Sequence, residues 1–364
     1  MRNVWLGPAL VASLAAALAA GSVGAAGCAD PGPVTSPVNA SPEPGPPAGT
    51  DPEAGPQESE EELTSKRTLE LVVSVDWEGR DLTEANVGAM ETFRKRFPDV
   101  PMTQFLNAAY YTKPSAKAPD VTARIQRALL PRDEHGLHVH GWKRLFEASG
   151  VAFRRTPTFW GPSTPLQNDC NVDCGHEVPI SAYTTDELRK VFRYSLDTLE
   201  IAGFSRARSF RAGGWMAKPV VLEALVSEGI VRDNSAVNEP FLREEIGTLP
   251  LDAWLRELWP AVTSVSQPYL LKTPAGPIME IPDNGALADY ISAQDMLGVY
   301  AACAADKKKN PTKSVSINVG FHQETAARYL PALAEAIDGM VAQAKRDGLT
   351  LRATTTDRLP RPVR

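Results

Sequence analysis

The chain has 364 residues, 43% of them hydrophobic, a formal net charge of -6 and four cysteines. That composition excludes a chain disordered throughout, and the charge excludes an electrostatically driven nucleic-acid partner. The negative charge is concentrated between Ala29 and Ser65, where eight carboxylates occur with no Lys or Arg, so the body from Lys66 onward stands near neutral at +1.

Arg2 precedes an uncharged stretch from Trp5 to Gly27 that is rich in Ala, Leu and Val and ends in small residues, the layout of a secretory signal over residues 1–27. The stretch is long enough to span a bilayer, but its Gly- and Ala-rich second half favours cleavage over retention as an anchor. Export is the expectation. Ala25-Ala26-Gly27-Cys28 resembles a bacterial lipoprotein box, with Ala25 where that box usually has Leu. Cys28 is therefore a lipidation candidate, and ordinary cleavage near Gly27 is the alternative. Residues 28–65 alternate Pro, Gly, Ser and acids, a composition that cannot offset the entropy of ordering, and read as a disordered spacer. Residues 66–364 read as one catalytic domain.

Within that domain, Leu69–Val75 is a β-branched apolar run ending in Asp76, the pattern of a buried strand. A helix follows from Thr83 through Phe93. Further strands are expected at 102–106, 136–140, 151–154, 207–211, 230–233, 314–319 and 349–353. Helices are expected at 121–130, 142–148, 185–202, 219–228, 293–305 and 325–346, with Thr184 and Glu187 forming a capping signature for the third of these. Alternation of strands and helices at this spacing predicts a parallel α/β fold closed into a barrel.

Chemistry-bearing residues fall at strand ends, where a barrel gathers its catalytic groups. Asp76 and Glu78 lie two apart, which on an extended segment points both carboxylates the same way. His138 and His140 likewise share one side of a strand end, so two imidazoles reach one ion. Arg211 precedes a glycine pair, Gly213-Gly214, that lets backbone approach a ligand closely. Asp233 ends another strand, and His322 sits between a strand and a long helix, where a histidine serves as a general acid. Cys170 and Cys174, in a loop of Asn, Asp and Gly, suit a short disulfide outside the cytoplasm, with a thiol metal site involving His176 as the weaker option. Cys303 lies in an apolar helical stretch and reads as a buried thiol.

Taken in order, Asp76-Trp77-Glu78-Gly79, Glu134-x-Gly-x-His138-x-His140, Phe210-Arg211-Ala212-Gly213-Gly214-Trp215, Asp233-x-Ser235 and Phe321-His322-x-Glu324 resemble the polysaccharide deacetylases of carbohydrate esterase family four, over about Leu69 to Arg352. The resemblance implies a distorted (β/α)7 barrel and a divalent metal, zinc by preference, used to remove N- or O-acetyl groups from a polysaccharide. It implies Asp76 as catalytic base, Glu78 and His138 as metal ligands, Arg211 as the residue orienting the base, His322 as general acid and Asp233 as the carboxylate supporting that acid. Three positions depart from the family. Trp142 stands where its second metal histidine lies, so His140 is expected to replace that ligand. Gly213 stands where it has proline, and Trp77 separates acids that are commonly adjacent.

Trp142 and Trp215 are the candidate sugar platforms, with Tyr110, Tyr111 and Trp160 beside other loops, and His176 is a candidate extra ligand. The expected partner is a cell-wall or other glycan, with membrane contact only through a lipid on Cys28. Two readings compete: a catalytically silent carbohydrate-binding lipoprotein of the same fold, and a two-carboxylate glycosidase whose activity survives a chelator.

Overall fold

The computed structural model describes residues 60–161 and 164–362. Residues 1–27 and Cys28, read as signal and lipidation site, lie outside the described residues, as does most of the spacer. Its last residues are helical: α1 (Glu60–Arg67) carries Lys66 and Arg67 in its last turn, where cations suit the helix dipole.

The elements then run β1 (Thr68–Asp76), α2 (Glu84–Arg96), β2 (Met102–Leu106), α3 (Ala118–Gln126), β3 (Glu134–Val139), α4 (Lys143–Ala148), α5 (Thr185–Ile201), β4 (Ser209–Ala212), α6 (Pro219–Ser227) and β5 (Arg232–Asp233). After α7 (Arg243–Ile246) and α8 (Pro250–Leu258) come β6 (Tyr269–Thr273), β7 (Gly276–Glu280), α9 (Ala293–Lys309), β8 (Ser316–His322), α10 (Ala326–Asp347) and β9 (Thr350–Thr354). Seven parallel strands follow the order β7-β5-β4-β3-β2-β1-β8; β6 pairs antiparallel with β7, and β9 pairs parallel with the early half of β1. This is a distorted (β/α)7 barrel.

β1 is buried along its whole length, as expected of a strand covered on both faces. Helix starts are fixed by side chains. Thr83 accepts from Asn86 N at the head of α2, and Thr184 with Glu187 and Ser292 with Asp295 form full capping boxes on α5 and α9. α5 buries Leu188, Val191, Phe192, Leu196 and Leu199 on one face, each worth about 1.5–3 kcal/mol of burial. α10 ends on Gly348 at φ 66°, a left-handed cap that favours glycine.

Distortion lies between β7 and β8. No strand fills that gap among the described residues; residues 281–289 cross it instead. Asp283 N donates to Ala236 O, while Gly285 N and Ala288 N donate to Asn318 O and Gly320 O. Asn318 is held further by Asn284 Oδ1 and Pro282 O. This irregular crossing carries Asp283 and Asp289 to the mouth of the barrel.

Two expectations are corrected. Residues 151–154 form no strand: Arg154 N donates to the Tyr183 hydroxyl rather than to a ladder. The β6–β7 hairpin, not anticipated, turns at Pro274-Ala275 and places Glu280 beside Asp233.

Candidate metal and catalytic site

Register sets the site. Asp76 is paired with His322 across β1 and β8, and His138 with Arg211 across β3 and β4, so all four stand at one end of the barrel. Beyond Asp76, Trp77 turns into the core and donates Nε1–H to Gln104, while Glu78 returns to the Asp76 side. Gly79 makes the following turn at φ 81°, and a Cβ there would lie 2.9 Å from Trp142 Nε1. The glycine is required twice, by its dihedral and by the approach of the indole that donates to Glu78 O at 2.7 Å.

The Glu78 carboxylate is ringed by imidazoles. Oε1 lies 3.3 Å from His138 Nε2 and 3.4 Å from His322 Nε2; Oε2 lies 2.7 Å from His140 Nε2 and 2.5 Å from His176 Nε2. Burial opposes its charge, yet His140 and His322, with hydrogen bonds from His138 and His140, hold its pKa well below the usual carboxylate range. Burial also opposes charge on His138, but Asp76 and Glu78 raise its pKa.

Arg211 lies under the other carboxylate. Its Nη1 donates to Asp76 Oδ1 and to Ser74 Oγ, each at 2.9 Å, and its Nε donates to Asn234 O at 3.1 Å. Nη2 faces Asp283 Oδ2 at 3.8 Å, and the guanidinium packs over the Phe105 ring. A charge with 1% exposure is tolerated because two carboxylates and several acceptors surround it.

His322 stands on the neighbouring strand, in register with Asp76. Its Nδ1 is 3.2 Å from Asp289 Oδ1, and its backbone N–H donates to Asp289 Oδ2. Burial lowers the imidazole pKa, but Asp289 and Glu78 outweigh it and raise it to about 10. Asp233, expected behind His322, is elsewhere. β5 neighbours β4 and β7, so Asp233 accepts from Ser235 Oγ at 2.7 Å and pairs with Glu280. Asp289, on the crossing segment, holds the place expected of Asp233; no strand pattern marks it in the sequence.

The two tryptophans expected to carry sugar are buried, at 1% and 4% exposure. Trp142 is used up between Glu78 O and the Lys113 ammonium, 3.6 Å above its ring. Trp215 donates to Asp283 Oδ2 at 3.0 Å and accepts from Trp259 Nε1 at its carbonyl. Both are braces, and neither offers a free face. Tyr290 is the aromatic beside His322, with ring centroids 5.9 Å apart.

The loop before α5 also enters the site. Cys170 is bonded to Cys174, and Cys174 O accepts from Lys143 N. Two residues on, His176 reaches Glu78. Cys303 is a buried free thiol whose pKa burial pushes up to about 12.

No family model matches the sequence, and no curated protein matches it significantly. Among solved structures, the chain is similar to a Mycobacterium smegmatis protein described as a polysaccharide deacetylase: 11% identity, 82% of this chain and 94% of that one, TM-score 0.46. It is similar to the Puue allantoinase at 13% identity, covering 80% and 89%, TM-score 0.44. A family 4 carbohydrate esterase from Streptomyces lividans, in complex with acetate, matches at 9% identity, covering 82% and 98%, TM-score 0.38.

The donor set fits a divalent ion. His138 Nδ1 is 2.8 Å from Arg211 O and His140 Nδ1 is 2.7 Å from His176 O. A carbonyl only accepts, so both Nδ1 atoms carry hydrogen, and Nε2, the atom each ring turns toward Glu78, is the one that can give a lone pair to an ion. Two Nε2 atoms and a carboxylate converging in a buried place form a donor set that an ion can take up once it replaces the Nε2 hydrogens. The planes of His138 and His140 are inclined at 74°, so both can point at one ion. Asp76, Glu78 and His138 bring donor atoms within 4.8 Å of one another, as do Glu78, His140 and His176.

Proposed function

We propose that the chain is an exported, metal-dependent hydrolase that removes N- or O-linked acetyl groups from a polysaccharide. The observation that carries this reading is the placement of two different proton-handling pairs, Asp76 with Arg211 and His322 with Asp289, beside the Glu78, His138 and His140 donors.

Glu78, His138 and His140 would hold the ion, and one carboxylate with two imidazoles suits zinc with a coordination position left open. When bound, such an ion polarises an acyl oxygen and acidifies a water. Arg211 fixes Asp76 through Oδ1 and leaves Oδ2 to take a proton from a water in front of Glu78. His322, charged on account of Asp289 and Glu78, carries a proton on Nε2 for the departing amine or alkoxide. Base and acid are thus separate residues with opposite charge, as hydrolysis of an amide or ester needs.

The near-neutral body suits a neutral or weakly charged glycan. The signal-like start, Cys28 and the acidic spacer support export and attachment to a membrane through a lipid.

Acetate release from a panel of acetylated glycans, with and without chelator, tests the reading. Release that chelator abolishes and zinc restores is expected. Acetate release that survives chelator would contradict the metal reading, chain cleavage without acetate release that survives chelator would fit a two-carboxylate glycosidase-type site instead, and glycan binding with no release in zinc would make this a binding protein.

A further inference from the structure

His176 brings a third imidazole to the Glu78 carboxylate, and its geometry differs from that of the other two. Its ring lies parallel to His140, 11° between planes and 3.9 Å between centroids. An imidazole binds an ion close to the plane of its ring, and two nearly parallel planes stacked this way meet only far from both rings, so His140 and His176 cannot both ligate one ion as they stand. The tautomer differs as well. His176 Nδ1 faces Arg80 Nη2 at 3.4 Å. A guanidinium only donates, so Nδ1 accepts and the hydrogen sits on Nε2, 2.5 Å from Glu78 Oε2. His138 and His140, whose Nδ1 atoms face carbonyls, show the reverse arrangement.

We infer that His176 is a positioning residue of the metal centre and not one of its ligands: it donates Nε2–H to Glu78 Oε2 while its own carbonyl fixes the tautomer of His140. One residue thereby orients two ligands. Arg80, beside Glu324 at 3.3 Å, sets the direction of that donation. The disulfide-closed turn at Cys170–Cys174, anchored by Lys143 N on Cys174 O, delivers His176 to the site. The inference rests on the metal reading above and adds the function of a residue outside the expected ligand set.

Zinc affinity by chelator competition and the visible spectrum of the cobalt-loaded full chain test it, using His176→Gln and His176→Leu. A glutamine amide places a donor where imidazole Nε2 was, and the backbone carbonyl at 176 persists in both variants. Ligand-orienting partners of this kind are worth about 10–100-fold in metal affinity, so His176→Leu should lose that much and His176→Gln no more than about threefold. Both should keep the parent's cobalt spectrum once loaded, because the ligands are unchanged. Equal losses in the two variants with an altered cobalt spectrum would make His176 a ligand and overturn the inference. Parental affinity in a folded His176→Leu would overturn it also. If His176→Leu does not fold, the spectrum and affinity of His176→Gln decide alone. A parent chain that takes up neither zinc nor cobalt removes the metal reading itself, an outcome separate from any difference between variants.

Discussion

A Cβ on Gly213 would lie 2.5 Å from His140 Nδ1, closer than side chains approach without displacement. The glycine that follows the arginine motif is therefore the space in which the His140 ring sits, while Gly214, at φ 62°, abuts Phe159. Two departures noted in the sequence belong together: a ligand at His140 requires no side chain at 213, and Trp142 occupies the neighbouring position as a brace on Glu78 O. Gly213→Ala should push His140 off its carbonyl partner, weaken zinc binding by about 10–100-fold and cost about 1–3 kcal/mol of stability through overpacking. Chelator competition measures this, and parental affinity in the variant would refute the coupling.

Asp76 and Arg211 should separate chemistry from stability. Asp76→Asn removes the base but keeps an acceptor for Arg211, so kcat should fall by about 10²–10⁴-fold with metal content retained. Arg211→Ala leaves Asp76 and Asp283 buried without their counter-charge and should cost about 3–5 kcal/mol of folding stability. Steady-state kinetics and denaturant unfolding distinguish the two effects.

His322 should set the alkaline limb of activity. The acid form is required, and Asp289 is the largest influence raising its pKa to about 10. Asp289→Asn lowers that pKa, so the alkaline limb of kcat/KM should move to lower pH. An alkaline limb unmoved in Asp289→Asn would dissociate the two residues.

Asp233 and Glu280 should affect stability alone. Burial pushes the Asp233 carboxyl up to about 6, and burial with the Asp233 charge raises Glu280 well above the carboxylate range. A carboxyl whose pKa is raised by folding binds more protons folded than unfolded, so its contribution is undiminished below about pH 4 and is lost as pH rises through 6. Asp233→Asn removes this loss, and its melting temperature should gain on the parent's between pH 4 and pH 7. A constant difference between the two across that range would contradict the assignment.

Much of this was legible in the chain. Apolar runs ending in Asp76, His138 to His140 and His322 gave both strands and site, because a parallel barrel opens every strand end on one face. Asp289 was hidden, since it ends the irregular crossing of residues 281–289, whose residues before it show neither a period of two nor one of 3.6. Motif order placed Asp233 behind His322, but the β6–β7 hairpin puts Glu280 against it. Aromatic residues near strand ends suggested sugar platforms, whereas the indole N–H groups of Trp142 and Trp215 are spent on Glu78 O and Asp283. His176 gave only a weak signal, being brought in by a loop fixed by the Cys170–Cys174 bond and not by any periodic element.

Elemental analysis after chelator stripping and reloading bears on the ion that Glu78, His138 and His140 are assigned to hold. The purified chain should retain one equivalent of zinc, and Glu78→Gln, His138→Ala and His140→Ala should each lose most of it while remaining folded. A parent that retains no divalent metal, or three variants that all retain it, would contradict the assignment.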